Sequence, residues 1–117
     1  MKENVLKKKS FDFALRVVKL QKYLQEKKEY IMSKQLMRSG TSVGAMVREA
    51  EFAESKSDFV HKMEIAQKEI NETIYWLELL NASDYLTIQQ FESINTDAVE
   101  IIKLITSSIK TAKKINH

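Results

Sequence analysis

An all-α fold, an antiparallel up-down-up-down four-helix bundle, is what this sequence predicts, and three observations predict it. The 117 residues contain no proline and only two glycines, so the residues that most often interrupt helices are nearly missing. Apolar residues recur at steps of three and four along four long segments, the seam pattern of packed helices. The stretches between those segments are short, which makes consecutive helices antiparallel neighbours. A composition of 44% hydrophobic and 30% charged residues without cysteine excludes collagen-like, disulfide-stapled and Pro/Gly-rich disordered classes. A chain of this size buries about two-thirds of its unfolded surface, enough for one core, and a single domain over residues 1–117 is expected.

The first helix is expected at about 10–28. Phe11, Ala14, Leu15 and Val18 form one row and Phe13, Val17, Leu20 and Leu24 a second, and together they read as one wide apolar face. Residues 1–9, which are basic, and the last few residues read as tails. The second helix, at about 30–53, carries Met32, Leu36, Gly40, Val43, Val47 and Ala50. Ser55 to Asp58 read as an N-terminal cap for the third helix, about 57–82, with the stripe Phe59, Met63, Ala66, Ile70, Thr73, Leu77 and Leu80. Thr87 with Gln90 three residues on is a capping-box signature for the fourth helix, about 87–114. Its stripe is Phe91, Ile94, Ala98, Ile101, Ile105, Ser108 and Ala112.

Both glycines lie four apart inside the second helix, where each costs about 1 kcal/mol relative to alanine. Reflecting the chain about the turn at Ser55 sets Gly40 near Ile70, Gly44 near Ala66, Val47 near Met63 and Arg38 near Glu72. Ser39, Gly40, Ser42, Gly44 and Ala45 then have two readings. They let another helix approach closely, within the bundle or from another subunit, or they relieve crowding inside the monomer. Arg38 with Glu69 or Glu72 reads as a structural ion pair.

The net charge of +3 conceals a separation. Residues 1–28 carry nine Lys/Arg against three acids, residues 101–117 four lysines and no acid, and residues 29–100 six basic against thirteen acidic residues. Antiparallel first and last helices should bring Lys7, Lys8 and Lys9 close to Lys110, Lys113 and Lys114. The two basic segments then merge at one end of the bundle into a patch that attracts polyanions by counterion release. The alternative is that these lysines only solvate the chain.

The inventory does not support catalysis. Of two histidines, His117 is terminal, and Asp58-Phe-Val-His61 is a single carboxylate-x-x-His step where a di-iron bundle needs two Glu-x-x-His motifs and further glutamates. There is no thiol nucleophile and no glycine-rich phosphate loop. Glu64, Glu69, Glu72 and Glu78 read as a solvated or ion-paired face, and Tyr75 and Trp76 as packing at a helix edge. No catalytic residue, metal site or cofactor is expected. With no signal-peptide core and no run near the ~20 apolar residues of a membrane span, a cytoplasmic protein without membrane contact is expected.

The stretch from Gln35 through Arg38-Ser39-Gly40-Thr41-Ser42-Val43-Gly44 to Ala45 is more specific than a periodic pattern. With Ser57-Asp58-Phe59-Val60-His61-Lys62 and Lys68-Glu69-Ile70-Asn71-Glu72-Thr73-Ile74-Tyr75-Trp76-Leu77, it resembles the bacterial four-helix bundle family named for proteins encoded in intervening sequences of 23S rRNA genes. The family includes the accessory variability proteins of diversity-generating retroelements. The similarity extends from about Phe11 to Lys113. It implies a left-handed antiparallel bundle assembled as a homopentameric ring. For the retroelement branch it implies a basic surface that binds nucleic acid and a reverse transcriptase. Arg38, Ser42, Glu69 and Glu72 match the family's pattern. The chain departs from it at Met46, where asparagine is expected, and at Gln67 and Ile70, where leucine and alanine are expected.

The expected function is therefore a non-enzymatic oligomer that binds RNA or DNA, with Lys7, Lys8, Lys9, Arg16, Lys19, Lys110, Lys113 and Lys114 on phosphates. Arg38, Ser39, Gly40, Ser42, Gly44, Glu69 and Glu72 would serve helix packing or subunit contact. The rival expectation is a protein-interaction scaffold, for example an accessory subunit docking a reverse transcriptase.

Overall fold

The computed structural model describes residues 2–114, with side chains from Val5 onward. Met1 and residues 115–117, including His117 and the end of the expected C-terminal tail, lie outside the described residues. Four helices fill the chain: α1 (Lys2–Glu26), α2 (Ile31–Glu51), α3 (Lys56–Ala82) and α4 (Ile88–Lys114), and no strand occurs among the described residues. Each helix packs on its neighbours in sequence and α4 packs back on α1, while among the described residues the backbones of diagonal helices stay farther apart. The result is a rod 50 × 21 × 19 Å. Its length follows from the helices, since 27 residues rise about 40 Å.

The registers run in opposite directions, as an up-down-up-down bundle requires. Arg38 meets Glu69 and Glu72 while Lys62 meets Glu49, and Lys9 meets Glu100 while Arg16 meets Asp97.

Local sequence starts and stops the helices without glycine or proline. The Ser55 hydroxyl accepts the Asp58 N–H at 3.0 Å and caps α3. The Thr87 hydroxyl accepts from the Gln90 N–H at 3.1 Å and the Gln90 amide oxygen accepts from the Thr87 N–H at 2.9 Å, closing a reciprocal box before α4. At the head of α2 the buried Glu29 carboxylate accepts the N–H groups of Ile31, Met32 and Ser33. A glutamate is an uncommon cap, and nothing in the local sequence pattern announces it. α1 and α3 both stop in a Schellman motif: the Glu29 N–H reaches the Leu24 carbonyl and the Tyr85 N–H the Leu80 carbonyl, each at 2.9 Å. The left-handed residues there are Lys28 (φ 65°) and Asp84 (φ 69°), not glycines.

The core follows the stripes of α2, α3 and α4 closely, with Leu36, Val43, Ala66, Ile70, Leu77, Ala98 and Ile105 fully enclosed. α1 differs from the expectation in two ways. It begins at Lys2, so residues 2–9 are helix rather than tail, and Leu6 is buried at 2% exposure one heptad before Phe13. The lysines around Leu6 hide that period in the sequence. The expected wide face is also split: Phe13, Val17 and Leu24 are buried, but Phe11 and Leu15 are 53% and 47% exposed. One stripe is all that a helix on the side of a four-helix bundle can bury.

The glycine register needs the same correction. A Cβ on Gly40 would stand 2.7 Å and 2.9 Å from the Val17 methyls, and one on Gly44 would stand 3.3 Å from the Ser10 carbonyl oxygen. Both glycines therefore face α1 rather than Ile70 and Ala66 of α3, and the close approach is between α1 and α2 within one chain. α2 turns a different edge to α3, where buried Ser39 meets buried Thr73.

Candidate nucleic-acid interface

The basic residues of α1 and α4 lie on surfaces set by the core stripes. Residues either side of Phe13 and Val17 form two edges of α1, one along α4 and one along α2. On the α4 edge, Arg16 donates to Asp97 at 2.7 Å and also to the Ser93 hydroxyl and carbonyl, and Lys9 reaches Glu100 at 2.9 Å. On the α2 edge, Lys7 reaches Glu51 at 3.1 Å. Lys8 pairs along its own helix with Asp12 at 2.8 Å, and Lys113 crosses to Glu64 of α3 at 3.3 Å.

The expected basic segments share one end of the bundle. Lys9 stands level with Glu100, and Lys7 lines a small cavity with Ser108, two residues before Lys110 on α4. The intervening acids of α2, α3 and α4 take up Lys7, Lys9 and Lys113. Lys19, Lys110 and Lys114 are exposed and make no ion pair among the described residues. The pairs that do form are exposed, and such pairs are worth only about 0–1 kcal/mol.

Between α1 and α4 runs an open groove of about 570 Å³, lined by Arg16, Lys19, Leu20, Tyr23, Gln90 and Ser93 among others. Its apolar floor is Leu20 and Ile94, and its rim is cationic and amide-bearing. The Gln90 side chain, fixed at its oxygen by the capping box, lowers the Tyr23 hydroxyl below the usual phenol value, with Lys27 as the second cause. The Lys27 ammonium stands 5.1 Å from the Tyr23 ring centroid. The sequence pattern points to Arg16 and Lys19 but not to Tyr23, Gln89 and Gln90, because the groove exists only once α1 and the start of α4 lie side by side.

The residues singled out on α2 and α3 form a different, closed arrangement. Arg38 donates to Gln35, to Glu69 at 3.1 Å and to Glu72. Glu72 also accepts the Trp76 indole N–H at 2.8 Å. That bond first, and the Arg38 guanidinium second, hold the Glu72 carboxyl below the usual carboxylate range. Glu72 in turn raises Arg38 above its ordinary value. Thr73 sits 2.8 Å from both Ser39 Oγ and the Glu69 carbonyl. A hydroxyl has one proton, so with Thr73 donating to the carbonyl, Ser39 donates to Thr73. The Ser42 hydroxyl bonds back to the Arg38 carbonyl at 2.6 Å. Tyr75, 54% exposed, packs edge-on to Trp76 with centroids 5.0 Å apart.

Among the described residues no group of three His, Cys, Asp or Glu side chains could hold a metal ion, and no helix is long and apolar enough to cross a membrane.

Residues 2–107 match the 23S rRNA-intervening sequence protein family. The chain belongs to that family. It is also similar to the crystal structure of a protein with unknown function from the S23 ribosomal protein family of Bacteroides thetaiotaomicron VPI-5482. The identity is 58% and the TM-score 0.93, over 94% of this chain and 99% of that one. No match was found among curated proteins. In this family member the words that carried the resemblance occupy two kinds of position: Ser39, Gly40 and Thr73 are buried packing residues, and Arg38, Glu69 and Glu72 form the ion-paired α2–α3 seam.

Proposed function

We propose that this intervening-sequence family member is a non-enzymatic, homo-oligomeric cytoplasmic protein that binds RNA or DNA through the basic edges of α1 and α4. The observation that carries the reading is the set of exposed cations there: Lys19, Lys110 and Lys114 without carboxylate partners among the described residues, and Lys7, Lys8, Lys9, Arg16 and Lys113 in exposed, displaceable pairs. Repetition of the edges around an assembly adds weak contacts as avidity. The resemblance implies five copies, and the exposed side chains of Phe11, Leu15 and the 79%-exposed Phe52 offer apolar contacts between copies.

The test is binding of a labelled oligonucleotide at two salt concentrations. Changing Lys7, Lys8, Lys9, Lys113 and Lys114 together to glutamine should weaken binding. It should also flatten the logarithmic salt dependence by about 0.9 for each duplex phosphate that the variant no longer neutralises. Unchanged affinity in that variant removes the proposal.

A second reading rests on the same exposed apolar side chains. Phe11, Leu15 and Phe52 would then dock a different protein, such as a reverse transcriptase, with the lysines serving solubility. A scaffold of that kind shows no polyanion affinity even at low salt.

A further inference from the structure

The basic edges explain attraction to phosphate but not the groove between them. A purely electrostatic surface has no use for an apolar floor or for amide groups held in place. Here Leu20 and Ile94 form such a floor, Tyr23 stands at its side, and Gln89, Gln90 and the Ser93 hydroxyl line the α4 wall. Tyr23 from α1 and Gln90 from α4 line the groove together, and the Gln90 amide oxygen is fixed by accepting the Thr87 N–H at 2.9 Å. Lys19 precedes Tyr23 by one turn of α1, and Lys27, in the turn just after the helix, stands 5.1 Å from the ring centroid, so two exposed cations flank the ring.

We infer that this α1–α4 groove seats an unpaired base of single-stranded nucleic acid, with Tyr23 and Leu20 against the base, Gln89 and Ser93 at its polar edge, and Lys19 and Lys27 on the adjoining phosphates. This deepens the nucleic-acid reading and rests on it. The choice of a single strand follows from the chemistry of the groove. In a duplex the base faces are stacked and their pairing edges occupied, whereas an unpaired base offers both a π-face for an aromatic ring and an edge for amides and hydroxyls. The net positive rim, with Lys19 and Lys27 unopposed among the described residues and Arg16 shared with Asp97, matches the strand's charge. In the free protein the Lys27 ammonium stands near the Tyr23 ring. An exposed cation–π contact is worth only about 0.5–1 kcal/mol, so a base can take the ring and leave Lys27 to a phosphate.

The experiment compares a fluorescein-labelled thymidine 12-mer, an abasic 12-mer with the same phosphates, and a 12-base-pair duplex, by anisotropy at one salt concentration. The wild-type chain should bind the thymidine strand about tenfold or more tighter than the abasic strand. Tyr23→Leu, which keeps an apolar contact with the core, should erase that preference while leaving abasic and duplex binding unchanged. Gln89→Ala, at an exposed position, should weaken only the base-bearing strand, and Tyr23→Phe should retain most of the preference. Circular dichroism confirms that each variant is folded. Equal wild-type binding of base-bearing and abasic strands overturns the groove and leaves the basic edges standing. A preference that survives both Tyr23→Leu and Gln89→Ala likewise overturns it. Binding of none of the three probes overturns the groove and the nucleic-acid reading together.

Discussion

The α2–α3 seam and the α1–α4 seam are built from similar residue types and reach opposite ends. In the first, Arg38 is shared between Glu69 and Glu72, Trp76 closes the far side of Glu72, and the Ser39–Thr73 contact lies fully buried beneath them. In the second, Arg16 bridges to Asp97 and Ser93 on the surface, and beside it the helices part to leave the 570 Å³ groove. The difference shows what polar residues do at a helix pair. Where small buried hydroxyls lie under the ion pair, the helices close and the charges become structural. Where Leu20 and Tyr23 stand at the edge instead, an open groove remains between the helices, and its polar groups face solvent.

The largest expected effect separates the seams by packing. Ile70→Ala empties a fully enclosed site on α3 and should cost about 2–5 kcal/mol, whereas Leu20→Ala at the groove, where the cavity is open to water, should fall below that range. Chemical denaturation of both variants measures the gap, and equal losses would mean that the groove is as tightly packed as the core.

The next effect sharpens the role of the glycines. Gly40→Ala drives a methyl into Val17, a buried and rotamer-restricted neighbour, so overpacking of about 1–3 kcal/mol should exceed the roughly 1 kcal/mol that alanine gains in helix propensity. Gly44→Ala meets Ser10, its carbonyl oxygen nearest at 3.3 Å, a milder overlap than at Gly40, so its stability should stay within about 1 kcal/mol of the parent. Thermal melts that reverse this order would place the close helix approach elsewhere.

The smallest effect concerns acid. Because the Glu72 carboxyl is held low in the folded chain, its stabilisation is present above its unfolded value of about 4.3 and is lost as pH falls through the folded value. Trp76→Phe removes the first cause of that shift. Its melting temperature should lie below the parent's near neutral pH, and the two curves should converge as pH falls below about 4. A gap that persists unchanged into acid would assign the loss to packing of the indole rather than to its bond with Glu72.

Much of the fold was legible because helical stripes depend only on spacing. The α3 stripe from Met63 to Leu80 is buried residue for residue, and Ser55 and Thr87 with Gln90 cap their helices through short-range bonds that sequence alone specifies. Less of the site was legible. Arg16 and Lys19 were visible as charges, but Tyr23, Gln89 and Gln90 come from segments more than sixty residues apart and acquire meaning only as walls of one groove.

The sequence by itself determined four helices, their order, the identity of most core positions and the family. Each of these follows from local periodicity, from capping chemistry or from short words such as the Arg38–Gly44 stretch. Only the tertiary structure decided that α1 starts eight residues earlier than its obvious period, through the burial of Leu6. It also decided that Phe11 and Leu15 face outward, that the glycines admit α1 rather than α3, and that acids of three helices pair with Lys7, Lys9 and Lys113. The physical reason is common to all of these. A stripe says that a residue is on one side of its helix, but which neighbour lies there depends on how four rods settle around a shared core, and charges are paired or left free by that arrangement.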